Sequence, residues 1–342
     1  MLDFAFLSLL WVSSIALSLS VLWLSRSWLY GIGLVDLDWF KPKEYWVPIG
    51  GVLLWVPVAI VGMAQGFLGV TPRESFEWVA VSLLLGSVGI ADDLGRKLRK
   101  RLGWAFRAVP IAVICLGASF FLAQPFSFFG FFSVSSPPLL TLFGALFIAG
   151  LLGLENSFGG INGWNGGASF FVSLGVIALV FNTPFLPLAV AFSGIIAGFA
   201  WLYKYPALVF PGDSQPYLTG AAFSLVLLFA GKMDWGLLLY LPHLLDFFLL
   251  KLLLNKGDVS QKATLKVLGG EKETGVRPYA LLSSGELAIP KYADGFTRYD
   301  FAKFLIKLLG PQSEQRLMHL IWLVVAANAL IVSLAHYYFA AA

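Results

Sequence analysis

The chain has 342 residues, 58% hydrophobic and 12% charged, with a mean hydropathy of +0.82 and a formal net charge of +4. That is too apolar for an ordinary soluble domain, and nothing in so small a net charge points to nucleic acid as a partner. A single cysteine, Cys115, excludes an internal disulfide.

Apolar runs of roughly 14 to 23 residues recur along the chain, as expected for an all-α polytopic membrane protein of about ten spanning helices. The predicted spans lie near 4–24, 47–69, 76–91, 108–124, 138–155, 168–181, 185–203, 217–231, 235–250 and 317–340. The first run lacks a positively charged leader and a small-residue cleavage site, so it reads as a spanning helix and not as a removed signal. The expected organisation is one integral membrane domain over 1–342. Its longest loop, 251–316, joins spans 9 and 10.

The loops sort by charge. Of the 23 Lys and Arg residues, 21 fall in odd-numbered loops on one face, and only Arg73 and Lys232 fall on the other. The positive-inside rule then makes the odd loops cytoplasmic, with both termini outside and the polar chemistry on the cytoplasmic face.

On that face the first loop offers Asp36, Asp38 and Lys41 ahead of Pro48-Ile49-Gly50-Gly51, for which interfacial decoration is the simplest reading. Span 3 reads as ending on Asp92-Asp93, followed by five basic residues at 96–101. Paired acids at a helix C-terminus meet the negative end of the macrodipole and repel each other, so positive charge must lie close by. It comes either from the basic run, making a membrane-edge anchor, or from a divalent metal with a phosphorylated substrate.

Loop 5–6 reads Glu155-Asn156-Ser157-Phe158-Gly159-Gly160-Ile161-Asn162-Gly163. It is a flexible turn or a ligand loop whose glycines admit close backbone approach. Loop 7–8 contains Phe210-Pro211-Gly212-Asp213. Asp213 either caps the following helix or completes a hard-oxygen Mg²⁺ site. His243, His319 and His336 sit in apolar runs and read as core, and no zinc spacing, Ser-His-Asp order or nucleophile elbow occurs. Trp and Tyr near span ends form an interfacial belt.

Asp92-Asp93 after a glycine-spaced helix, Asn156 before Gly160-Ile161-Asn162-Gly163, and Tyr205-Pro206 leading to Phe210-Pro211-Gly212-Asp213 occur in one order. Together they resemble the polyprenyl-phosphate N-acetylhexosamine-1-phosphate transferases. The pattern is most similar to the eukaryotic and archaeal UDP-GlcNAc:dolichyl-phosphate GlcNAc-1-phosphate transferase branch, also in Leu309-Gly310-Pro311 before the last span. The resemblance implies transfer of a sugar-1-phosphate, GlcNAc-1-phosphate by preference, from a UDP-sugar to a polyprenyl or dolichyl phosphate with release of UMP. That is the first membrane step of lipid-linked glycan synthesis, at the cell membrane or, in a eukaryote, the ER membrane.

The same likeness assigns Asp92, Asp93 and Arg107 to catalysis and Asp213 and Asn156 to Mg²⁺, with Mn²⁺ as the alternate ion. It gives Asn156, Gly160, Asn162 and Phe210 to substrate, with Arg277 and Arg298 as candidate donor contacts. Membrane lipids and a second copy of the chain are the further expected partners. The chain departs from the family pattern in four places. Gly153 stands where an asparagine is usual, no acid follows Pro48, 251–316 lacks the His/Arg/Pro-rich stretch, and the lysine expected after the paired acids is matched only by Arg107, a few residues further along. Alternatives are a bacterial-type undecaprenyl-phosphate transferase, a transporter of the same topology, and an inert scaffold.

Overall fold

A computed structural model describes residues 4–38, 41, 45–67, 71–97, 104–122, 124–255, 279–290 and 297–341. Helix α1 (Phe4–Gly31) leads into an antiparallel pair, β1 (Val35–Leu37) and β2 (Trp46–Pro48). A 3₁₀ turn (Gly50–Leu54) runs into α2 (Trp55–Phe67), followed by α3 (Pro72–Lys97) and α4 (Trp104–Leu122). The hairpin β3 (Phe126–Phe128) and β4 (Phe132–Val134) precedes α5 (Pro137–Ser157), α6 (Trp164–Leu179), α7 (Leu186–Tyr203) and α8 (Ser214–Phe229). Then come α9 (Met233–Leu239) and α10 (Leu241–Leu244), the latter continuing as a π-helix (Leu245–Leu254). Strands β5 (Ala280–Leu281), β6 (Glu286–Ala288) and β7 (Gln312–Ser313) form an antiparallel sheet, with α11 (Phe301–Leu309) between β6 and β7. The last element is α12 (Glu314–Ala341).

The chain is an all-α polytopic integral membrane protein, and each of the ten predicted spans falls on an apolar helical segment. By length and composition six helices can cross a membrane alone, and α9 with the segment after it makes a seventh, bent by 64°. The other three, Phe106–Leu122, Trp164–Leu179 and Ser214–Phe229, are shorter. Two further differences matter. Helix α3 does not stop at Asp92-Asp93 but runs another turn to Lys97. The stretch 251–316 is more than a loop, since its described part holds a sheet and a helix.

Helix α8 is the axle, buried at every residue from Ser214 to Leu228. Its main neighbours are α3 and α5. In lipid the helices gain nothing from hiding apolar surface, so close packing through small residues must hold them. A β-carbon at Gly220 would lie 2.5 Å from the Leu152 Cα, and Gly194 and Gly198 of α7 press on Ser14 and Ser18 of α1 in a small-xxx-small pattern. Pro110 interrupts the α4 ladder, and Pro137-Pro138 opens α5, where the missing N–H costs nothing. Contacts of Gly220 with Leu152 and of Gly144 with Leu228 fix an antiparallel register of α5 on α8, bringing the C-terminus of α5 beside the N-terminus of α8.

Candidate active site

At that end of the bundle three helices deliver charge to one place. Arg107 Nη1 of α4 lies 3.5 Å from Asp92 Oδ2 of α3 and 3.9 Å from Asp213 Oδ2 at the head of α8. Asp92 is buried and Arg107 about one-third exposed, so the guanidinium faces outward across two carboxylates. Asp93, buried beneath them, does other work. Its Oδ1 accepts the Asp213 amide at 2.9 Å, and its Oδ2 accepts the Ser214 amide at 3.1 Å. These are donors that the first turn of α8 cannot satisfy within the helix.

Asp93 thus caps a neighbouring helix, where a carboxylate is favoured, instead of facing the negative end of its own. Asp213 is the N-cap residue of α8, yet its side chain makes no capping bond and reaches Arg107 instead. Two glycines permit this approach. Gly212 has φ of 60°, and a β-carbon there would overlap Asp93 Oδ2; one on Gly89 would lie 2.5 Å from the Asp213 carbonyl oxygen.

Phe210 joins this assembly through its backbone. Its amide donates to Pro48 O at 2.8 Å and its carbonyl accepts from Gly51 at 3.1 Å, adding a parallel bridge beside β2. Its half-buried ring stands edge-on to Tyr203 at 6.3 Å. Asn156 is half-exposed at the end of α5, on the same end of the bundle as Asp213, and its side chain makes no hydrogen bond among the described residues.

Asn162 sits elsewhere. It is buried, its Nδ2 donates to Asp38 at 2.8 Å, and its amide donates to Glu314 at 2.9 Å. Lys41 closes this second cluster, 3.3 Å from Asp38 and 3.2 Å from Glu314, with its ammonium over the Tyr205 ring. Burial pushes the Lys41 pKa down, but the two carboxylates outweigh it and hold the group above its ordinary value. Asn162 therefore pins the glycine turn to the first loop and to α12. Trp322 holds the same turn by donating to the Gly163 carbonyl at 2.9 Å.

Gly160 packs against Tyr279, whose hydroxyl would lie 2.9 Å from a β-carbon there. This lays the start of the β5–β6 hairpin over the turn. Arg298 is half-buried just before a stretch pinned by Asn255 donating to Tyr299 O (2.9 Å) and by Phe301 donating to Asp246 (2.7 Å). Arg277 lies outside the described residues.

Sequence reasoning missed two elements. Glu155 is fully buried and gathers Tyr240 (2.7 Å), Ser169 (2.7 Å) and Asn165 (3.2 Å), tying α5 to α6 and to the bend. An acid inside an apolar run was the available signal. The pair Asp246–Lys251, 2.6 Å apart on the π-helix, also hydrogen-bonds the Ser157 carbonyl through Lys251.

Among the described residues no group of three or more His, Cys, Asp or Glu side chains is set to hold a metal. The donors still suit a hard divalent cation. Mg²⁺ is commonly held by one or two carboxylates with phosphate and water completing the shell, and Asp92 and Asp213 converge on a single guanidinium nitrogen.

Alongside lies an apolar furrow. Two cavities of about 370 and 180 Å³ share Leu146, Phe147 and Leu237 between α5 and α9. One end reaches Leu154, close to Asn156, and the other reaches Phe126 and Phe128 of the β3–β4 hairpin.

Residues 75–231 match the family model of glycosyl transferase family 4. The matched segment runs from α3 to the end of α8, so it contains Asp92, Asp93, Arg107, Asn156, the Gly160 turn, Phe210 and Asp213. The chain is also similar to a phospho-N-acetylmuramoyl-pentapeptide-transferase of Picosynechococcus sp., 29% identical over 210 residues, or 58% of this chain. The alignment spans 56% of that relative, a little over half its length. The relative is bacterial, so it does not single out the eukaryotic and archaeal branch that the motifs favoured.

Proposed function

We propose that the chain transfers a sugar-1-phosphate, GlcNAc-1-phosphate by preference, from a UDP-sugar to a polyprenyl phosphate, with the site on the cytoplasmic face. The observation that carries this reading is the convergence of Asp92, Arg107 and Asp213 from three helices at one end of the matched segment. The furrow that reaches this end supports a lipid acceptor, and the charge split of the loops supports the cytoplasmic side.

An oxygen of the acceptor phosphate would form a bond to the sugar-linked phosphorus, whose bond to the bridging oxygen breaks as UMP leaves. Asp92 takes the proton of a monoprotonated acceptor phosphate and orients the attacking oxygen. Arg107 pairs with phosphate oxygens, with the bidentate geometry that guanidinium offers. Asp93 holds Asp213 in place through the two amides it accepts. A bound Mg²⁺ or Mn²⁺, on Asp213 with Asn156 or Asp92, would neutralise charge as it redistributes along the diphosphate. Phe210 and the Gly160 turn hold the uridine, with Asn162 fixing that turn from behind, while Arg277 and Arg298 contact the diphosphate.

A second reading has one observation in its favour. The bacterial relative, by its name, suggests a phospho-N-acetylmuramoyl-pentapeptide donor, which would go with the undecaprenyl-phosphate acceptor of the bacterial-type alternative. One assay separates the two: UMP release by the purified chain with a panel of UDP-sugars and polyprenyl phosphates of several lengths. Release with UDP-GlcNAc supports the first, release only with the muramoyl-pentapeptide donor supports the second, and no release with any pair overturns both.

A further inference from the structure

A cavity of about 700 Å³ lies at the end of the bundle opposite Asp213, and the transfer reaction does not use it. Helix α8 runs from Asp213 at one end to Phe229 at the other. Past its C-terminus, Lys232, Asp234 and Trp235 line the cavity together with His336 of α12 and Phe129 and Phe131 of the hairpin. Phe131 and Phe339 of its lining are strongly exposed, as are Tyr337 and Tyr338 next to Phe339 on α12. Such an aromatic cluster belongs at the boundary between hydrocarbon and water. Trp235 stands edge-on to His336 at 5.1 Å and to Phe129 at 5.5 Å, so the wall is assembled from three separate parts of the chain.

The polar groups carry the chemical information. Asp234 is buried, with Oδ2 accepting the Phe129 amide at 2.9 Å and Oδ1 accepting the Trp235 amide at 2.8 Å. It latches the hairpin tip, where Phe129 has φ of 49°, onto α9. Lys232 forms no ion pair among the described residues, with Asp234 or with anything else. The Nε2 atom of His336 is buried and has no hydrogen-bond partner. A buried polar atom left in that state costs free energy unless a ligand supplies the missing bond.

A purely anionic ligand would meet the Asp234 charge, and a purely cationic one would meet Lys232. A group bearing both signs a few ångströms apart satisfies both. At a membrane boundary that description fits a zwitterionic phospholipid headgroup. The aromatic wall suits an ammonium through its ring faces. Asp234 is an acceptor and calls for N–H donors, which a primary ammonium has and a quaternary one lacks.

We propose that this cavity is a binding site for one phosphatidylethanolamine-type lipid, from the leaflet opposite the Asp92–Asp213 site. Lys232 holds the phosphate; Asp234, His336 and Trp235 surround the ammonium; and Phe131 and Phe339 meet the start of the acyl chains.

The test is native mass spectrometry of the full chain with equimolar phosphatidylethanolamine, phosphatidylcholine and phosphatidylglycerol of matched acyl chains. One phosphatidylethanolamine should be retained in preference to the other two. Lys232→Gln should weaken retention at least ~10-fold, the effect of one charge-assisted contact, and Lys232→Arg should restore it. Equal retention of the three lipids, or a preference for phosphatidylglycerol, overturns the proposal. So does binding of free O-phosphoethanolamine as tight as that of the lipid. The headgroup comparison on the unsubstituted chain decides the matter even if Lys232→Gln fails to fold.

Discussion

Asp93 Oδ2, near the end of α3, accepts the amide of Ser214 at the start of α8 at 3.1 Å. One carboxylate thereby fixes where the head of the central helix sits, and with it the position of Asp213. Its neighbour Asp92 makes its contact with Arg107 instead. Two adjacent acids thus have different work, and their substitutions should fail differently.

Asp93→Asn should lower the melting temperature, because an impaired cap costs about 0.5–2 kcal/mol, and should lower transfer through the displaced Asp213. Asp92→Asn keeps the side chain's shape and loses one ion pair whose Arg107 partner is partly exposed, so it should shift the melting temperature less than Asp93→Asn, while UMP release falls by orders of magnitude. Thermal unfolding and UMP release measured on the same preparations separate the two. Equal unfolding temperatures with equal activity losses would remove the distinction between them.

Gly89→Ala offers a test of packing against propensity. In an open helix, alanine for glycine gains about 1 kcal/mol. At Gly89 the new methyl would press on the Asp213 carbonyl, and overpacking costs typically ~1–3 kcal/mol. Gly89→Ala should therefore destabilise. Gly117→Ala on α4, which has nothing within 4 Å, should be neutral or mildly stabilising. If both changes stabilise alike, the close approach of α3 to the α8 head is wrong.

Lys41 gives a pH signature. Its pKa in the fold is raised above the ordinary value of 10.5, so its pairing with Asp38 and Glu314 stabilises fully below that value. The contribution is lost as pH rises through the higher folded pKa. The difference in unfolding temperature between wild type and Lys41→Met should be constant from neutrality to about pH 10 and shrink at higher pH. A difference that grows with alkalinity contradicts the assignment.

Sidedness can be read by labelling. Ser284, exposed at the tip of the β5–β6 hairpin, and Ser133, exposed on β4, lie in loops assigned to opposite faces. Cys115 is buried and should stay silent. Ser284→Cys should react with an impermeant thiol reagent only from the cytoplasm, and Ser133→Cys only from outside. Labelling of both from one side would refute the topology.

The helical architecture was legible because hydropathy survives without knowledge of contacts, and the asymmetry of Lys and Arg gave the sidedness proposal its basis. The site was half legible. Asp92 and Asp213 could be singled out within one ordered pattern and Arg107 only through the family resemblance, and the structure brings the three together. The division between Asp92 and Asp93 could not be read, because it depends on which carboxylate points at another helix's amides, and adjacent residues on a helix diverge in direction. Asn162 looked like a ligand group because a sequence does not show that Asp38 and Glu314, each more than a hundred residues away, already occupy it. The bend at Tyr240 falls inside a run read as one span, yet Pro242, in the first turn of α10, was its sequence signal.

The furrow between α5 and α9 opens along the flank of the bundle, where Leu146, Phe248 and their neighbours face the bilayer, and it ends near Asn156. A long-chain acceptor arriving by that route is encountered in two dimensions. Its concentration is then a mole fraction among the surrounding lipids, and diluting the membrane suspension in water leaves that fraction unchanged. Turnover should follow the packing of the acceptor within the bilayer, and a soluble short-chain phosphate, lacking that guided sideways entry, should react as a slow, poorly saturating substitute.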